Sequence, residues 1–269
     1  AIGNHALGDN ITGYSNIAIG TGALLYNTTS WENTALGHRA SYRNTSGTSN
    51  VALGFEALEQ NQTGGYNVAV GWRAGNGNST TGNYVQNVIL GAQAGYNITT
   101  GGNNNVVMGF NAAFELTTGN DNVLLGYSAG DNITTGSNNV ALGYQSGDNL
   151  TTGSNNIIIG YDQDASSATV SNELNIGDLI TGDMSTGTVT FNDAYTFPSA
   201  NGSAGQILAA TAGGSLSWTD VSSGRDNDWT EVAAPASHIK AKAGGIAASD
   251  AVLYGTNATT HLNLGFNSS

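Results

Sequence analysis

The 269-residue chain has no cysteine, only two prolines and few charged residues. Without cysteine, a disulfide framework and a thiolate metal site are both excluded. Only 6 side chains are basic, against 19 acidic ones, whereas nucleic-acid binding requires clustered Lys and Arg that neutralise phosphates. The composition therefore excludes a nucleic-acid partner, and rigidity has to come from backbone hydrogen bonds and packing.

Long apolar runs are also missing. None approaches the ~20 residues that cross a bilayer as a helix, so we expect no membrane insertion by this segment. The sequence begins within a repeat at Ala1 and ends shortly after a repeat-like HLNLG at Gly265. We expect the chain to be a piece of a longer protein whose targeting signals lie elsewhere.

What the sequence has in abundance is a repeat. The motif Asn-apolar-apolar-apolar-Gly returns at a spacing of 17 residues, with one gap of 20 and one of 18. A period this strict predicts a solenoid, in which each repeat is one coil stacked on the next. The repeat is anchored by residues that include Asn16, Gly20, Asn50, Gly54, Asn67, Gly71, Asn122, Gly126, Asn139, Gly143, Asn156 and Gly160.

The three apolar residues between each Asn and Gly predict a strand that is apolar on both faces. In a strand the first and third residues point to one side and the second points to the other. We expect each coil to hold two strands of about five residues and two turns. The middle position is frequently alanine, and the candidates for a trimer core, facing its axis or the tight interior, are Ala18, Ala35, Ala52, Ala69 and Ala141.

Such a coil is thin and has only one interior. If one face of the strand fills that interior, the other face has to be covered by another chain. We therefore predict a homo-oligomer, with three chains around one axis as the simplest closed arrangement. A monomeric solenoid with an exposed apolar stripe is the alternative.

The NVALG copies with alanine three positions on resemble the head repeats of trimeric autotransporter adhesins, a left-handed parallel β-roll. Residues 23–64, ALLYNTTSWENTALGHRASYRNTSGTSNVALGFEALEQNQTG, are similar to repeats in phage tail fibres and bacterial surface proteins. Many of those proteins end in an intramolecular chaperone of the endosialidase type. The resemblance covers roughly residues 1–177 and implies an all-β, homotrimeric β-roll.

The resemblance also implies a function and a location. A phage tail fibre that attaches to its host is the first expectation, and a bacterial cell-surface trimeric adhesin is the second. Both are extracellular, on a virion or on a bacterial surface. The expected partners are further copies of the chain, a host-surface glycan or protein, and other fibre or baseplate proteins.

The period predicts three regions. Residues 1–177 form the β-roll, residues 178–224 a small β-hairpin module, and residues 225–269 a second small β module that leads into a new repeat. Alternating apolar residues, Val189 with Phe191 and Leu216 with Trp218, favour short strands in the middle region.

No motif for catalysis is present: HExxH, the Gly-x-Ser-x-Gly elbow and a phosphate loop are all missing. Glycosidases need two convergent carboxylates, and no such pair is evident among Glu32, Glu56, Glu59 and Glu115. The Asp-Asn pairs lack the nonapeptide of calcium-binding β-rolls. We expect no enzyme activity, no cofactor and no metal, with a polysaccharide-degrading tail spike as a lesser alternative.

Aromatic and threonine residues offer the remaining candidate contacts. Aromatics in turns can stack on sugar rings, and the candidate ligand contacts are Trp31, Trp72, Tyr127 and Tyr144. Packing on the adjacent coil is the favoured interpretation of these residues. Repeated Thr-Thr pairs raise ice binding as a further alternative. Ser46 and Gln62 are expected to break that array.

Overall fold

A computed structural model describes residues 1–77, 82–192, 194–204, 206–211 and 215–220, together with the backbone alone of 229–232, 238–241, 252–255 and 262–265. The chain divides into two compact units, Ala1–Ser199 and Ala200–Ser269. Every regular element in the described ranges is a strand, so none of them contains a helix that is long and apolar enough to cross a bilayer. The prediction of an all-β chain is confirmed.

The first unit is built on short parallel strands, one in each coil. Neighbouring strands pair in register, so that Ala18 lies beside Ala35 and Ala35 beside Ala52. A parallel β-solenoid with coils of about 17 residues is thereby confirmed. The strands are β1 (Ile17–Ile19), β2 (Thr34–Leu36), β3 (Val51–Leu53), β4 (Val68–Val70), β5 (Val88–Leu90), β6 (Val106–Met108), β7 (Val123–Leu125), β8 (Val140–Leu142), β9 (Ile157–Ile159) and β10 (Glu173–Ile176).

Each coil contains one short strand, of three residues in β1 to β9 and four in β10, rather than the two longer strands that we expected. The reason is that left-handed backbone conformations recur at fixed positions. In one coil, for example, φ is +55° at Glu56, +52° at Leu58 and +62° at Tyr66. Such residues bend the chain and cannot continue a strand. The turns are still held to the next coil by backbone hydrogen bonds, as between the Leu58 N–H and the Ala74 carbonyl at 3.1 Å.

The anchor glycines occupy a position that only glycine fits. At Gly54, φ is +141°, a conformation that residues with a Cβ avoid. A Cβ at this position would also collide with the carbonyl of Gly71 in the next coil. The recurring glycine is thus explained by both a left-handed backbone and a close approach between coils.

The interior is filled in two different ways along the solenoid. In residues 16–66, which we call the N-terminal coils, the middle strand residue is alanine, and leucine at 24 and 58 fills the space opposite it. Buried asparagines occupy the next corner. Asn44 Nδ2 donates to the Gly47 carbonyl at 2.8 Å, and its Oδ1 accepts the Gly47 N–H at 2.8 Å. Polar groups therefore form part of this interior, and the corner asparagines are hydrogen-bonded there.

In residues 87–155, which we call the C-terminal coils, the volumes are exchanged. The middle strand residue is larger at Ile89, Val107 and Leu124, with Ala141 as the exception, and the position opposite it is small, as at Gly130. A Cβ on Gly130 would lie 2.8 Å from Ile133 Cδ1 and 2.9 Å from Leu124 Cδ2. The corner that holds asparagine in the N-terminal coils is aliphatic in these coils, as at Ile133. Large and small side chains thus compensate one another across one cross-section.

The five alanines proposed for a trimer core lie inside a single chain. Ala18, Ala35, Ala52, Ala69 and Ala141 are all fully buried without any partner chain. A residue with no exposed surface has nothing for a second chain to contact, so the assignment of these residues to a chain–chain interface is corrected. They fill the tight interior, and the residues on either side of them in the strand face outward.

The parallel stacking ends at β10, and three strands extend the same sheet in antiparallel order: β11 (Ile180–Asp183), β12 (Thr188–Phe191) and β13 (Tyr195–Phe197). In the second unit, β14 (Gln206–Ala210) and β15 (Leu216–Asp220) pair antiparallel. A four-stranded antiparallel sheet there consists of β16 (Trp229–Val232), β17 (His238–Ala241), β18 (Val252–Gly255) and β19 (Leu262–Gly265).

Candidate functional site: an exposed apolar sheet face

The anchor asparagines form a buried hydrogen-bonded column along the solenoid. Asn122 Oδ1 accepts the backbone N–H of Asn139 at 2.9 Å and its side-chain amide at 3.2 Å. Asn122 Nδ2 donates to the Gly136 carbonyl and to Asn105 Oδ1, both at 3.0 Å. The same pattern recurs from Asn33 onward. These side chains hold adjacent coils at a fixed height, and their role is structural.

The first and third residues of each strand point away from the interior and form one continuous surface, which we call the outer apolar face. Its members are only partly covered by their own chain: Ile17 is 53% exposed, Leu36 47% and Met108 40%. The face consists of Ile17, Ile19, Thr34, Leu36, Val51, Leu53, Val68, Val70, Val88, Leu90, Val106, Met108, Val123, Leu125, Val140, Leu142, Ile157, Ile159, Leu174 and Ile176.

The size of this face is unusual for a surface that stays in water. Ten strands spaced by about 4.8 Å make it ~45 Å long, and with its flanks it is ~15–20 Å wide, which gives roughly 700–900 Å². The largest apolar patch on a typical monomer is about 300–600 Å². A stable protein–protein interface buries about 800 Å² on each partner. The face is therefore large enough to be an interface.

An aromatic column flanks the outer apolar face at the residue after each anchor glycine. Phe110, Tyr127, Tyr144 and Tyr161 stack on one another with ring centroids 5.5, 5.0 and 5.1 Å apart. Because the stack runs along the solenoid, each inner ring has both faces occupied by its neighbours. Burial and the neighbouring phenols raise the pKa of Tyr144. The edges of the rings stay exposed, 45% for Tyr127 and 40% for Tyr144.

The other two candidate ligand contacts, Trp31 and Trp72, also have one ring face covered by a side chain of their own chain. Trp31 stacks on Tyr14, with centroids 5.9 Å apart and planes 4° from parallel. The guanidinium of Arg73 lies 4.8 Å from the ring centroid of Trp72. Packing within the chain thus accounts for Trp31, Trp72, Tyr127 and Tyr144, although each retains exposed edges.

One charged network was missed at the sequence level. Glu56 and Glu59 are only 7% and 6% exposed, and Arg39 joins them, with Nη1 3.8 Å from Glu56 Oε1 and 3.2 Å from Glu59 Oε1. Arg73 Nε donates to Glu56 Oε2 at 2.8 Å. The signal was the alternation Arg39, Glu56, Arg73 at a spacing of 17 residues. Both carboxylates are thus paired with arginine in the folded chain.

The C-terminal coils carry an acidic column instead. Burial, followed by a hydrogen bond with Asp164, raises the pKa of Asp148 to about 6. Burial also raises the pKa of Asp131, whose Oδ1 is buried without a hydrogen-bond partner among the described residues. No Lys or Arg occurs between Arg73 and Arg225, so these carboxylates have no neighbouring cation in sequence to offset their charge.

The threonine pairs divide into an inner and an outer column. The first hydroxyl donates to the next coil, as from Thr134 Oγ1 to the Thr151 carbonyl at 3.1 Å. The second residue of each pair is exposed in every described coil. Neither residue that was expected to break the array interrupts this outer column, because Gln62 belongs to the inner column and Ser46 still supplies a hydroxyl. The outer column is Thr12, Thr29, Ser46, Thr63, Thr100, Thr118, Thr135, Thr152 and Thr169.

A cleft of about 330 Å³ lies where the solenoid meets β11, lined by residues that include Glu173 and Asp183. Glu173 accepts hydrogen bonds from the backbone N–H and hydroxyl of Ser166. Hydrogen bonds from Ser185 lower the pKa of Asp183. Within the described ranges no three His, Cys, Asp or Glu side chains come together as metal ligands. Both carboxylates are thus engaged locally, and the outer apolar face is the stronger candidate site.

Comparison with known protein families, with characterised proteins and with solved structures gives no significant match for this chain.

Proposed function

We propose that this chain is the structural rod of a homotrimeric host-attachment fibre, a phage tail fibre in the first instance. The observation that carries the proposal is the outer apolar face. It runs the length of ten strands and equals in area one side of a stable interface. Burying it against further copies of the chain removes roughly 700–900 Å² per chain from water, at about 25 cal/mol per Å².

Identical chains cover such a face most simply by rotation around one axis. A rotation axis parallel to the solenoid brings coil against coil at every height, since each chain has the same period. Cyclic symmetry closes the assembly, because the outer apolar face of each chain is covered by its neighbours. Three chains with a narrow flat face each enclose a dry centre, and the polar corners of the coils then form the outside of the rod.

The rest of the surface fits adhesion by many weak contacts. Amide and hydroxyl groups repeat at every described coil and tyrosines at many of them, so three chains present many similar contacts whose combined binding exceeds that of any one. The partners in this proposal are a host-surface glycan or protein and other fibre or baseplate proteins, in an extracellular setting on a virion. A bacterial cell-surface trimeric adhesin is the alternative, and enzyme activity is not part of either.

Light scattering on the full chain at micromolar concentration tests the proposal. A particle of about three times the chain mass of 27.3 kDa is expected. Val123→Asp and Leu125→Asp place charges on the outer apolar face and are expected to release monomers. Thr135→Asp adds the same charge on the exposed hydroxyl column and is the matched control. A monomeric wild-type chain, or trimers that are indifferent to both face variants, contradicts the proposal.

The outer hydroxyl column, present in each coil whose threonine turn the structure describes, keeps ice binding as a second candidate. A single column offers one row of hydroxyls rather than a flat array, which is why we place it second. Thermal hysteresis of the full chain measures it directly, with Thr118→Lys and Thr135→Lys as variants that interrupt the row. Hysteresis that both variants abolish supports ice binding, and its absence in the wild type excludes it.

A further inference from the structure

The outer apolar face has two chemically different flanks. One is the residue after each anchor glycine, such as His38 or Tyr144, and we call it the glycine-side flank. The other is the residue before each anchor asparagine, such as Glu32 or Asn138, and we call it the asparagine-side flank. All four of these residues are exposed. The flanks border the same strands along the length of the solenoid.

The two flanks of one chain cannot contact each other. In each coil they are separated by the anchor asparagine, the three-residue strand and the anchor glycine, as between Asn138 and Tyr144. At about 3.3 Å per residue this separation approaches 20 Å across the face. A contact between the two flanks must therefore join two different chains.

A three-fold assembly brings the two flanks together. If three flat faces point at one axis, they form a triangular prism, and their flanks lie at its corners. Because rotation keeps all chains in the same orientation, the glycine-side flank of one chain always meets the asparagine-side flank of the next. The contact at each corner is thus between two different surfaces of one chain type.

We propose that the two flanks recognise each other between neighbouring chains, coil by coil, and so set the register of the assembly. This inference rests on the proposed trimer and adds which residues meet within it. The residue before each anchor asparagine contacts the residue after the anchor glycine of the same coil in the next chain.

The side chains at the two flanks are complementary within single coils. In one coil the acidic Glu32 accompanies His38, and two coils later the exposed Tyr66 accompanies Trp72. A carboxylate with an imidazole and two aromatic rings are both favourable pairs. A shift of the chains by two coils brings Glu32 against Trp72 and loses the carboxylate–imidazole pair, so this pair favours a single height. Tyr66 then meets the equally aromatic Phe110, and the aromatic pair does not distinguish the two heights.

Tyrosine and asparagine supply the pairs in the C-terminal coils. The Tyr144 ring is held between Tyr127 and Tyr161, which leaves its edge and hydroxyl to point outward. Neither that hydroxyl nor the Asn138 side chain hydrogen-bonds to another described residue. A phenol can donate a hydrogen bond to a carboxamide oxygen, so the Tyr144 hydroxyl of one chain can donate to the Asn138 side chain of the next.

Cysteine pairs test the inference, since the chain has no native cysteine. The full chain with Asn138→Cys and Tyr144→Cys is treated with a short bis-maleimide reagent and run on a denaturing gel. Closed three-fold contacts are expected to give a covalent trimer as the main product. Either single variant is expected to stay mostly monomeric, because like flanks do not meet. Tyr144→Cys with Thr135→Cys is the matched control and is expected to give no covalent trimer.

The outcomes separate this inference from the proposal on which it rests. Light scattering that finds a trimer, with no covalent trimer from the cysteine pair, overturns flank pairing and leaves the fibre proposal standing. A monomeric wild type overturns the fibre proposal itself. A second pair, Glu32→Cys with His38→Cys, is used if the first pair disturbs folding, and it is expected to give the same covalent trimer. Equal cross-linking by the control pair also counts against the inference.

Discussion

The N-terminal and C-terminal coils share one backbone and differ in what fills it. The first set combines alanine in the strand, leucine opposite it and hydrogen-bonded asparagine at the corner, as in Ala52, Leu58 and Asn61. The second set combines a large strand residue, glycine opposite it and an aliphatic corner, as in Leu124, Gly130 and Ile133. The same coil therefore tolerates two interiors, provided that total volume and hydrogen bonding are conserved.

What does not change between the two regions is the asparagine column. It runs without a break from Asn16 to Asn156 and passes through the coil of 20 residues as well as the regular ones. Side-chain amides that bond to the next coil set the stacking, and the interior adapts to that stacking. The comparison predicts that changes to the column act equally in both regions, whereas changes to the interior act locally.

Breaking the asparagine column is expected to have the largest effect. Asn50→Leu and Asn122→Leu each remove four buried hydrogen bonds and leave polar atoms of the next coils without partners. At about 1–3 kcal/mol per buried unsatisfied group, both variants are expected to lose roughly 4–6 kcal/mol of unfolding free energy. Urea unfolding at fixed protein concentration measures the loss.

The exposed Asn83→Leu, which lies on neither flank, is the control for the column and is expected to change stability by less than about 0.5 kcal/mol. If Asn50→Leu is much milder than Asn122→Leu, the column is not a common element of the two regions.

Exchanging the interior of a C-terminal coil for that of an N-terminal coil is expected to have the next largest effect. Leu124→Ala leaves a cavity and is expected to cost about 3–4 kcal/mol. Gly130→Leu overpacks the coil and is expected to cost about 1–3 kcal/mol. Leu58 occupies the matching position with φ at +52°, so this backbone accommodates a leucine. The double variant is therefore expected to lose less unfolding free energy than the sum of the two single losses.

A double-mutant cycle measures this compensation. A favourable coupling of about 1 kcal/mol or more supports the exchange of volumes between the two kinds of coil. Strictly additive losses show that the two interiors are not interchangeable. Leu124→Ala combined with the distant Thr29→Ala is the control cycle and is expected to be additive.

Asp148 makes the stability of the C-terminal coils depend on pH in the mildly acidic range. The pKa of Asp148 is raised to about 6, so the folded chain holds a proton that the unfolded chain, with an ordinary Asp near 3.9, releases. This contribution to stability is complete below about pH 4 and is lost as the pH rises through 6. Stability from this group is thus expected to increase when the pH falls from 7 to 5.

Thermal melting at pH 5 and pH 7 measures the effect. Asp148→Asn is expected to melt higher than the wild type at pH 7 and to show a smaller difference between the two pH values. Asp9→Asn, in the N-terminal part of the solenoid, is the control. An unchanged pH dependence in Asp148→Asn means that the carboxylates of this column do not interact as described.

The threonine pairs are expected to show the smallest effect. Thr134 donates a hydrogen bond to the next coil at 3.1 Å, and Thr135 is exposed. Thr134→Val is expected to lose about 0.5–1.5 kcal/mol, as for a typical single hydrogen bond, and Thr135→Val close to nothing. Urea unfolding resolves the difference, and equal losses contradict the division into an inner and an outer column.

Much of the fold could be predicted from spacing, and some of it could not. The period of the anchor residues led directly to a parallel solenoid, because a coil that repeats every 17 residues places equivalent residues one above the other. The number of strands in a coil was wrong. The left-handed conformation at Glu56 has no signal in residue type, whereas at the position of Leu58 the signal is the glycine of other coils, as at Gly130.

The face of the strand that is buried could not be predicted either. Alternation shows that Ala52 points opposite to Val51 and Leu53, but it leaves open which side is the interior of the coil. The aromatic stack and the Arg39 network could not be predicted from single coils either, because each joins residues of adjacent coils. Their signal is a second residue of matching type 17 positions away, as in Tyr127 and Tyr144 or Arg39 and Glu56.

The sequence by itself determined the period, the parallel stacking and the glycine and asparagine anchors, because these depend on local geometry that repeats. Only the tertiary structure decided which face of each strand is covered. Alanine was enclosed because the turns after each glycine wrap over the middle residue, and the larger outer residues such as Ile17 and Leu36 were left in contact with solvent. Burial depends on which residues the closed coil encloses, so it cannot be predicted from any single stretch of sequence.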